Sequence, residues 1–203
     1  MKKFLIAASL VLVSTTAFAQ NKTKVDPALL DKYFQSMFAK NTDEWKAKVA
    51  QDETLKDCDA NGNAPPAALF DKIVAREKAA VVFPADGKVI GDWKKGEIIA
   101  NRGTGGQFTD EPGTFQGGNC YACHQMAPKE LSYGTLGPSL AKYGKDRNFK
   151  PEDAKATYAK IYNAQSVMAC SQMPRFGHTK FLTEDQIKDA VAFLFDPESP
   201  VNK

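Results

Sequence analysis

Residues 117–126 read GGNCYACHQM, and this stretch decides how the rest of the chain folds. Cys120 and Cys123 are separated by two residues, and His124 follows directly. A C-x-x-C pair is typical of a redox dithiol, of half a zinc site or of a haem attachment point. A zinc site needs a second ligand pair of similar spacing, whereas the other two cysteines, Cys58 and Cys170, stand alone. A thioredoxin-like site needs a βαβ pattern, which the sequence lacks.

The histidine after the second cysteine favours the third alternative. Two thiols one turn apart can bond to the two vinyl groups of a haem, and the adjacent imidazole can then reach the iron. The sequence therefore predicts one covalently bound haem c. Cys120 and Cys123 are the expected thioether residues, and His124 is the expected proximal ligand.

The first residues predict export. Lys2 and Lys3 precede an apolar run from Phe4 to Val13, and Ala17-Phe18-Ala19 supplies an A-x-A cleavage site. The polar residues 14–16 interrupt this run too early for a membrane anchor. We expect residues 1–19 to be a cleaved signal peptide and the mature protein to be periplasmic.

The charge of the mature chain excludes a nucleic-acid partner. Removal of residues 1–19 takes away two lysines and leaves 25 basic against 24 acidic residues, a formal charge of +1. No basic patch of the kind that binds phosphates follows from this balance. No later stretch is apolar and long enough to span a bilayer, so we expect no membrane span.

The sixth iron ligand is expected in the segment 168–178, MACSQMPRFGH. Met173 is followed by the stiff Pro174 and then by Phe176 and Gly177, a loop suited to present one side chain. Met126 is too near His124 to reach the opposite haem face, and Met37 is expected in a helix core. Met173 is thus the preferred ligand. The open alternatives are Met168, otherwise expected in the core; His178, otherwise expected at the surface or near a propionate; and the thiol of Cys170.

A thioether ligand fills the coordination sphere and raises the reduction potential, which favours electron transfer over peroxide chemistry. Arg175 lies beside this loop. We leave open whether its charge is solvated, pairs with a haem propionate or faces a partner.

Three helices are expected around the haem. The first is 92–103, with Asp92 as N-cap and Gly103 as its stop; Gly96 and Ala100 leave one face thin enough for another helix to cross. The second is 152–163. The third is 183–196, with a Thr183/Gln186 capping box, a staple between Leu182 and Ile187, and an apolar face of Ile187, Ala190, Val191 and Leu194.

These helices, with GTLGPSL at 134–140 and MPRFG at 173–177, resemble class I cytochromes c. The resemblance implies a mostly α, class I cytochrome c fold with crossing terminal helices. It also implies that the carbonyl of Pro138 accepts the other ring N–H of His124, and that Leu140 packs on the haem ring.

Residues 20–88 lie outside that fold and are expected to form a helical N-terminal extension, followed by the cytochrome c domain at 89–203. Helices are predicted at 27–40 and 69–80 from their apolar periodicity. The stretch DCDANG at 57–62 imitates a calcium loop, but position twelve is Ala68, which cannot supply the bidentate carboxylate. We therefore expect a polar turn there.

Cys58 and Cys170 are expected to pair, because two leftover thiols in an exported protein usually do so. The pair would close a loop of more than 100 residues and stabilise the protein by about 4 to 5 kcal/mol in the chain-entropy treatment.

Five stretches resemble the SoxX family, the monohaem cytochrome subunits of SoxAX complexes in bacterial sulfur oxidation. They are GDWKKGEIIANRG, GGNCYACHQM, GTLGPSL, MPRFG and LTEDQIKDAVAFLFDPESPVN, which together span about 91–202. The resemblance implies a heterodimer with a SoxA-like cytochrome subunit, in which thiosulfate is coupled oxidatively to a cysteine of the SoxYZ carrier.

By this resemblance the chain is the electron-transfer subunit of an L-cysteine S-thiosulfotransferase. Its haem relays electrons to a downstream acceptor cytochrome, and the catalytic cysteine belongs to the SoxA-like partner, so this chain has no catalytic residue. Two alternatives stay open: a free-standing periplasmic electron carrier, and a haem enzyme that opens its sixth site.

Overall fold

The computed structural model describes residues 26–203 apart from residues 108 and 112. The predicted signal peptide, residues 1–19, lies outside the described residues. The chain divides into two compact units, one up to Thr42 and the other from Asp43 to Lys203. Secondary structure in the described part is helical and contains no strand, which confirms the predicted mostly α class.

Seven α-helices are present in the described residues. They are α1 (Pro27–Met37), α2 (Asp43–Val49), α3 (Glu53–Ala60), α4 (Ala67–Ala79), α5 (Trp93–Asn101), α6 (Pro151–Tyr162) and α7 (Glu184–Phe195). None of them is long and apolar enough to cross a membrane.

Helix α1 belongs to the first unit. It begins at Pro27 with Asp26 as N-cap, whose side chain accepts from the Ala28 N–H at 3.0 Å, and it ends three residues before the predicted position 40. No residue of α1 is buried. The expectation that Met37 is a core residue was therefore wrong, since its side chain is 57% exposed. Helical periodicity marks an apolar face, but it does not say what covers that face.

In the second unit, α5 and α7 cross at close range, as the sequence predicts. A Cβ on Gly96 would lie 2.0 Å from the backbone oxygen of Asp189 and 2.8 Å from Cβ of Phe193. The two helices can approach this closely only because position 96 has no side chain. Asp92 caps α5 by accepting from the Lys94 N–H at 2.9 Å. The helix ends at Asn101, because Arg102 is already extended, so Gly103 is not its stop.

Helix α7 supplies the centre of the core. The predicted capping box is present: the Thr183 side chain accepts from the Gln186 N–H, and the Gln186 side chain accepts from the Thr183 N–H. Its apolar face is buried and packs with residues of α5 and α6. This core lies next to the CxxCH segment, because Tyr121 and Met126 belong to the same cluster.

The extension contains two helices that periodicity did not predict, α2 and α3. Both are short, and the buried face of α3 consists of only two residues, Thr54 and Cys58. The expected polar turn at 57–62 was only partly right: residues 57–60 finish α3, and the turn follows at Asn61–Asn63. Among the described residues no group of three or more His, Cys, Asp or Glu side chains could hold a metal ion.

Candidate haem-binding site

The CxxCH segment forms a tight turn. Residues Cys120–Ala122 make one turn of 3₁₀ helix, entered from Asn119 in the left-handed region at φ 49°. The carbonyl of Cys120 accepts from the N–H groups of Cys123 at 3.1 Å and His124 at 2.9 Å. The backbone thus wraps around one carbonyl, which keeps the two thiols and the imidazole close together.

The segment 134–140 runs beside this turn and is hydrogen-bonded to it. Gly137 donates its N–H to the carbonyl of Cys123 at 2.8 Å, and Leu140 donates to the carbonyl of Gln125 at 2.7 Å. Nδ1 of His124 lies 2.7 Å from the carbonyl oxygen of Pro138. Because a carbonyl can only accept, Nδ1 carries the proton and the lone pair of Nε2 is left for a metal.

Gly137 lies against the face of this imidazole. A Cβ at position 137 would lie 2.2 Å from Cε1 and 2.5 Å from Nδ1 of His124. A side chain there would push the ring out of line with the Pro138 carbonyl. Gly137 was not among the predicted site residues, although it directly precedes Pro138.

Cys120 and Cys123 are free thiols in the structure. Burial raises the pKa of the Cys120 thiol to about 11. A redox dithiol needs a thiolate at neutral pH and therefore a lowered pKa. The surroundings of Cys120 therefore do not activate it as a nucleophile.

Met173 is half-buried and packs against the main core, as do Cys120 and Leu140. The structure thus brings Met173, Cys120 and Leu140 to one core cluster. Met168, the nearest alternative, is 53% exposed, so the expectation that it is a core residue was wrong. It directly follows Val167, where the chain leaves the 3₁₀ turn Ala164–Ser166 and reaches the surface.

The other candidate ligands have different partners. Cys170 forms a disulfide with Cys58 of α3. Nε2 of His178 lies 3.7 Å from a carboxylate oxygen of Asp52, so His178 faces the extension.

Arg175 is neither solvated nor free for a partner. It is 8% exposed, and its guanidinium lies 2.7 Å from Asp52 and 3.3 Å from Glu77. Sequence reasoning missed these two carboxylates, because acidic residues on an amphipathic helix ordinarily face water.

The residues present fit a covalently attached haem. Two thiols separated by two residues and an imidazole with a free Nε2 match the attachment pattern of a cytochrome c, and the Met173 thioether, which packs on the same core cluster as Cys120, would complete a six-coordinate site. Haem c, when bound, supplies a one-electron iron couple. Cys120 and Cys123 would attach it, and the carbonyl of Pro138 orients the imidazole of His124 that would hold the iron.

Comparisons with known proteins support this assignment. A family profile for cytochrome c matches residues 112–196. An uncharacterised lipoprotein of Aquifex aeolicus is 37% identical over 188 residues, which cover 92% of this chain and 84% of that protein.

The protein has a class I cytochrome c fold with a covalently bound haem c, and its chemistry is haem-based electron transfer. Since haem c attachment and disulfide formation both occur outside the cytoplasm, the protein is extracytoplasmic. The chain belongs to the same family as the Aquifex lipoprotein and carries a cytochrome c domain.

Proposed function

We propose that the chain is the electron-transfer subunit of a periplasmic, SoxAX-like heterodimer. The partner is a SoxA-like cytochrome that couples thiosulfate to a cysteine of a SoxYZ-type carrier. That coupling releases two electrons, which this subunit accepts and passes to a downstream acceptor cytochrome. His124 and Met173 are the axial ligands, and Cys120 and Cys123 are the thioether residues.

The observation that carries this proposal is that each of the four cysteines already has a structural place. Cys58 and Cys170 are joined in a disulfide, and Cys120 and Cys123 form the haem-attachment turn. A thiol that accepts a sulfane group must be accessible and able to ionise. This chain therefore keeps no thiol for the transfer chemistry, which agrees with a division of labour in which the nucleophile belongs to the partner.

The extension adds support. Residues 43–88 fold into the same compact unit as the cytochrome domain. A freely diffusing carrier needs only the haem domain, whereas a subunit of a larger complex also needs a surface for its partner. The assignment of residues 20–88 as an extension and 89–203 as the haem domain belongs to this proposal.

The test is purification from the native cells under mild salt. Because the relative is described as a lipoprotein, both the soluble extract and the washed membrane fraction are followed. Co-elution of a second haem-bearing subunit, with reduction of both haems by thiosulfate plus a reduced SoxYZ-type carrier but not by sulfate plus the same carrier, supports the proposal. Elution of the chain alone, with unchanged spectra on addition of thiosulfate and rapid electron exchange with other cytochromes, contradicts it and favours a free carrier.

A further inference from the structure

The loop that bears Met173 is held at both ends by the extension. Cys170, three residues before Met173, is bonded to Cys58 of α3. Arg175, two residues after Met173, forms ion pairs with Asp52, the N-cap of α3, and with Glu77 of α4. A loop that should belong to the haem domain is thus anchored to residues outside it.

The Glu77 carboxylate is buried and fully partnered. Its side chain is 4% exposed. One oxygen accepts from the hydroxyl of Thr54, and the other accepts from Asn163 at 2.6 Å and from Arg175 at 3.3 Å. Thr54 and Asn163 are themselves buried.

A buried ion pair contributes little net stability compared with a well-packed apolar pair. The pair instead fixes the orientation of its two side chains, because both charges must keep their partners to remain buried. Glu77 of α4, together with Asp52, therefore holds the guanidinium of Arg175 from outside the loop.

Between Cys170 and Arg175 the loop makes few hydrogen bonds that could hold its backbone in place. Within the described part of the chain, the backbone hydrogen bonds donated by residues 171–174 are local. Ser171 donates to the Met168 carbonyl at 3.2 Å, and Met173 donates to the Ser171 hydroxyl at 3.2 Å. Apart from the packing of Met173 against the main core, the position of this loop therefore depends on where Cys170 and Arg175 are fixed.

We infer that Glu77 is a positioning residue for the sixth iron ligand, acting through Arg175 to hold the Met173 loop closed. This inference rests on the proposed assignment of Met173 as that ligand. It gives the extension a role in the redox site itself: the helices α3 and α4 keep the thioether in reach, which maintains a filled coordination sphere.

The test compares Glu77→Gln with the wild type as intact holoproteins. Glutamine keeps the size and removes the charge. We expect a weaker thioether-to-iron charge-transfer band in the oxidised protein. Carbon monoxide should bind the reduced protein at least about tenfold faster, the lower end of the range that follows from losing one hydrogen bond to a charged group. The matched control is Glu53→Gln, which removes an exposed carboxylate of α3 that pairs with Arg76 instead.

A second variant keeps the test decisive if Glu77→Gln does not accumulate. Asp52→Asn removes the other carboxylate on Arg175, while its amide oxygen can still cap α3. We expect the same direction of change. Since Asp52 is partly exposed, this variant carries less folding risk.

Two results would overturn the inference. The first is a wild-type band and carbon monoxide rate in both variants, even with a lowered unfolding midpoint, because then the network has a structural role only. The second is a wild type without the thioether band, which also removes Met173 as ligand. Failure to find a SoxA-like partner leaves both readouts intact, so it is distinguishable from either result.

Discussion

At the scale of single residues, Gly137 and Pro138 orient the imidazole of His124. The carbonyl of Pro138 holds Nδ1 of His124, while the bare α-carbon of Gly137 leaves room for the ring. One residue supplies the hydrogen bond and its neighbour supplies the space. The carbonyl of Pro138 therefore decides the tautomer of His124, and Gly137 decides where the ring can lie.

Gly137→Ala tests this arrangement through the sign of its effect. At an unstrained position, glycine to alanine stabilises a protein by about 0.4 to 1 kcal/mol through the unfolded state. Here the added Cβ would clash with the His124 ring, so we expect a loss of about 1 to 3 kcal/mol. Denaturant unfolding of the holoprotein measures it, and a gain in stability would show that the ring has room to move.

Met173→Ala tests the proposed sixth ligand. We expect the thioether-to-iron charge-transfer band of the oxidised protein to disappear while the haem stays attached, because Cys120 and Cys123 are untouched. Absorption and mass spectra of the purified variant are the measurements. The matched control is Met168→Ala, at an exposed methionine of the same segment; if the band survives in the first variant and disappears in the second, the ligand is Met168.

At the scale of elements, the crossing of α5 and α7 sets the geometry of the haem domain. Both helices start from side-chain caps, Asp92 and Thr183, and they meet at Gly96. The first residues of α5 are also tied to α7, since Asp92 donates its N–H to the Asp189 carboxylate at 2.7 Å. The two ends of the domain are thereby brought together beside the CxxCH turn.

Gly96→Ala separates helix propensity from packing. Propensity alone favours alanine by about 1 kcal/mol in a helix interior. The contact with α7 leaves no room for a Cβ, so we expect the opposite sign and a loss of about 1 to 3 kcal/mol. Thermal or denaturant unfolding checks this, with Lys95→Ala on the exposed face of α5 as a control that should change little. Stabilisation by Gly96→Ala would contradict the close crossing.

At the scale of the whole molecule, the extension and the haem domain are joined by a disulfide and by a buried charge network. The network also makes stability depend on pH. Burial raises the pKa of Glu77, but hydrogen bonds from Asn163 and Thr54 and the charges of Arg175 and His178 outweigh it, so this pKa lies below the ordinary 4.5. The pKa of Asp52 is lowered in the same way, where burial is outweighed by the Leu55 N–H and by Arg175 and His178.

A lowered carboxylate pKa predicts destabilisation by acid. The folded protein binds fewer protons than the unfolded chain, so the contribution of Glu77 is present above about pH 4.5 and is lost as the pH falls through its lower folded pKa. Glu77→Gln should be less stable at pH 7 by about 3 to 5 kcal/mol, as for a broken buried ion pair. Its unfolding free energy should also fall less steeply below pH 4.5. An acid limb identical to that of the wild type would contradict this, and Glu53→Gln is the control.

The disulfide is tested by replacing both Cys58 and Cys170 with serine. The two residues are 112 positions apart, and loss of a long-range disulfide costs about 2 to 5 kcal/mol. We expect that loss in the unfolding free energy, with haem still attached. If non-reducing peptide mapping found both thiols of the native protein open to alkylation, the bond itself would be absent in solution.

Local signals in the sequence predicted the haem motif, the helices α5, α6 and α7, the capping box and the glycine crossing. Each depends on neighbours within a turn or on a period of 3.6 residues, which a sequence displays directly. The same signals missed α2 and α3, because short helices carry too few apolar positions to show a period. They also placed Met37 and Met168 in the core, since the residue type alone does not show whether another element covers the side chain.

The sequence by itself determined the cofactor and the class of fold, and it predicted the attachment residues. Only the tertiary structure decided where Glu77 and Arg175 lie. A sequence does not distinguish a buried carboxylate from a solvated one. For Glu77 the difference depends on Asn163 and Arg175, which lie 86 and 98 residues away along the chain. Burial lowers the local dielectric and obliges such charges to find partners. The coupling of the extension to the Met173 loop is therefore a property of the packed chain, which no local pattern encodes.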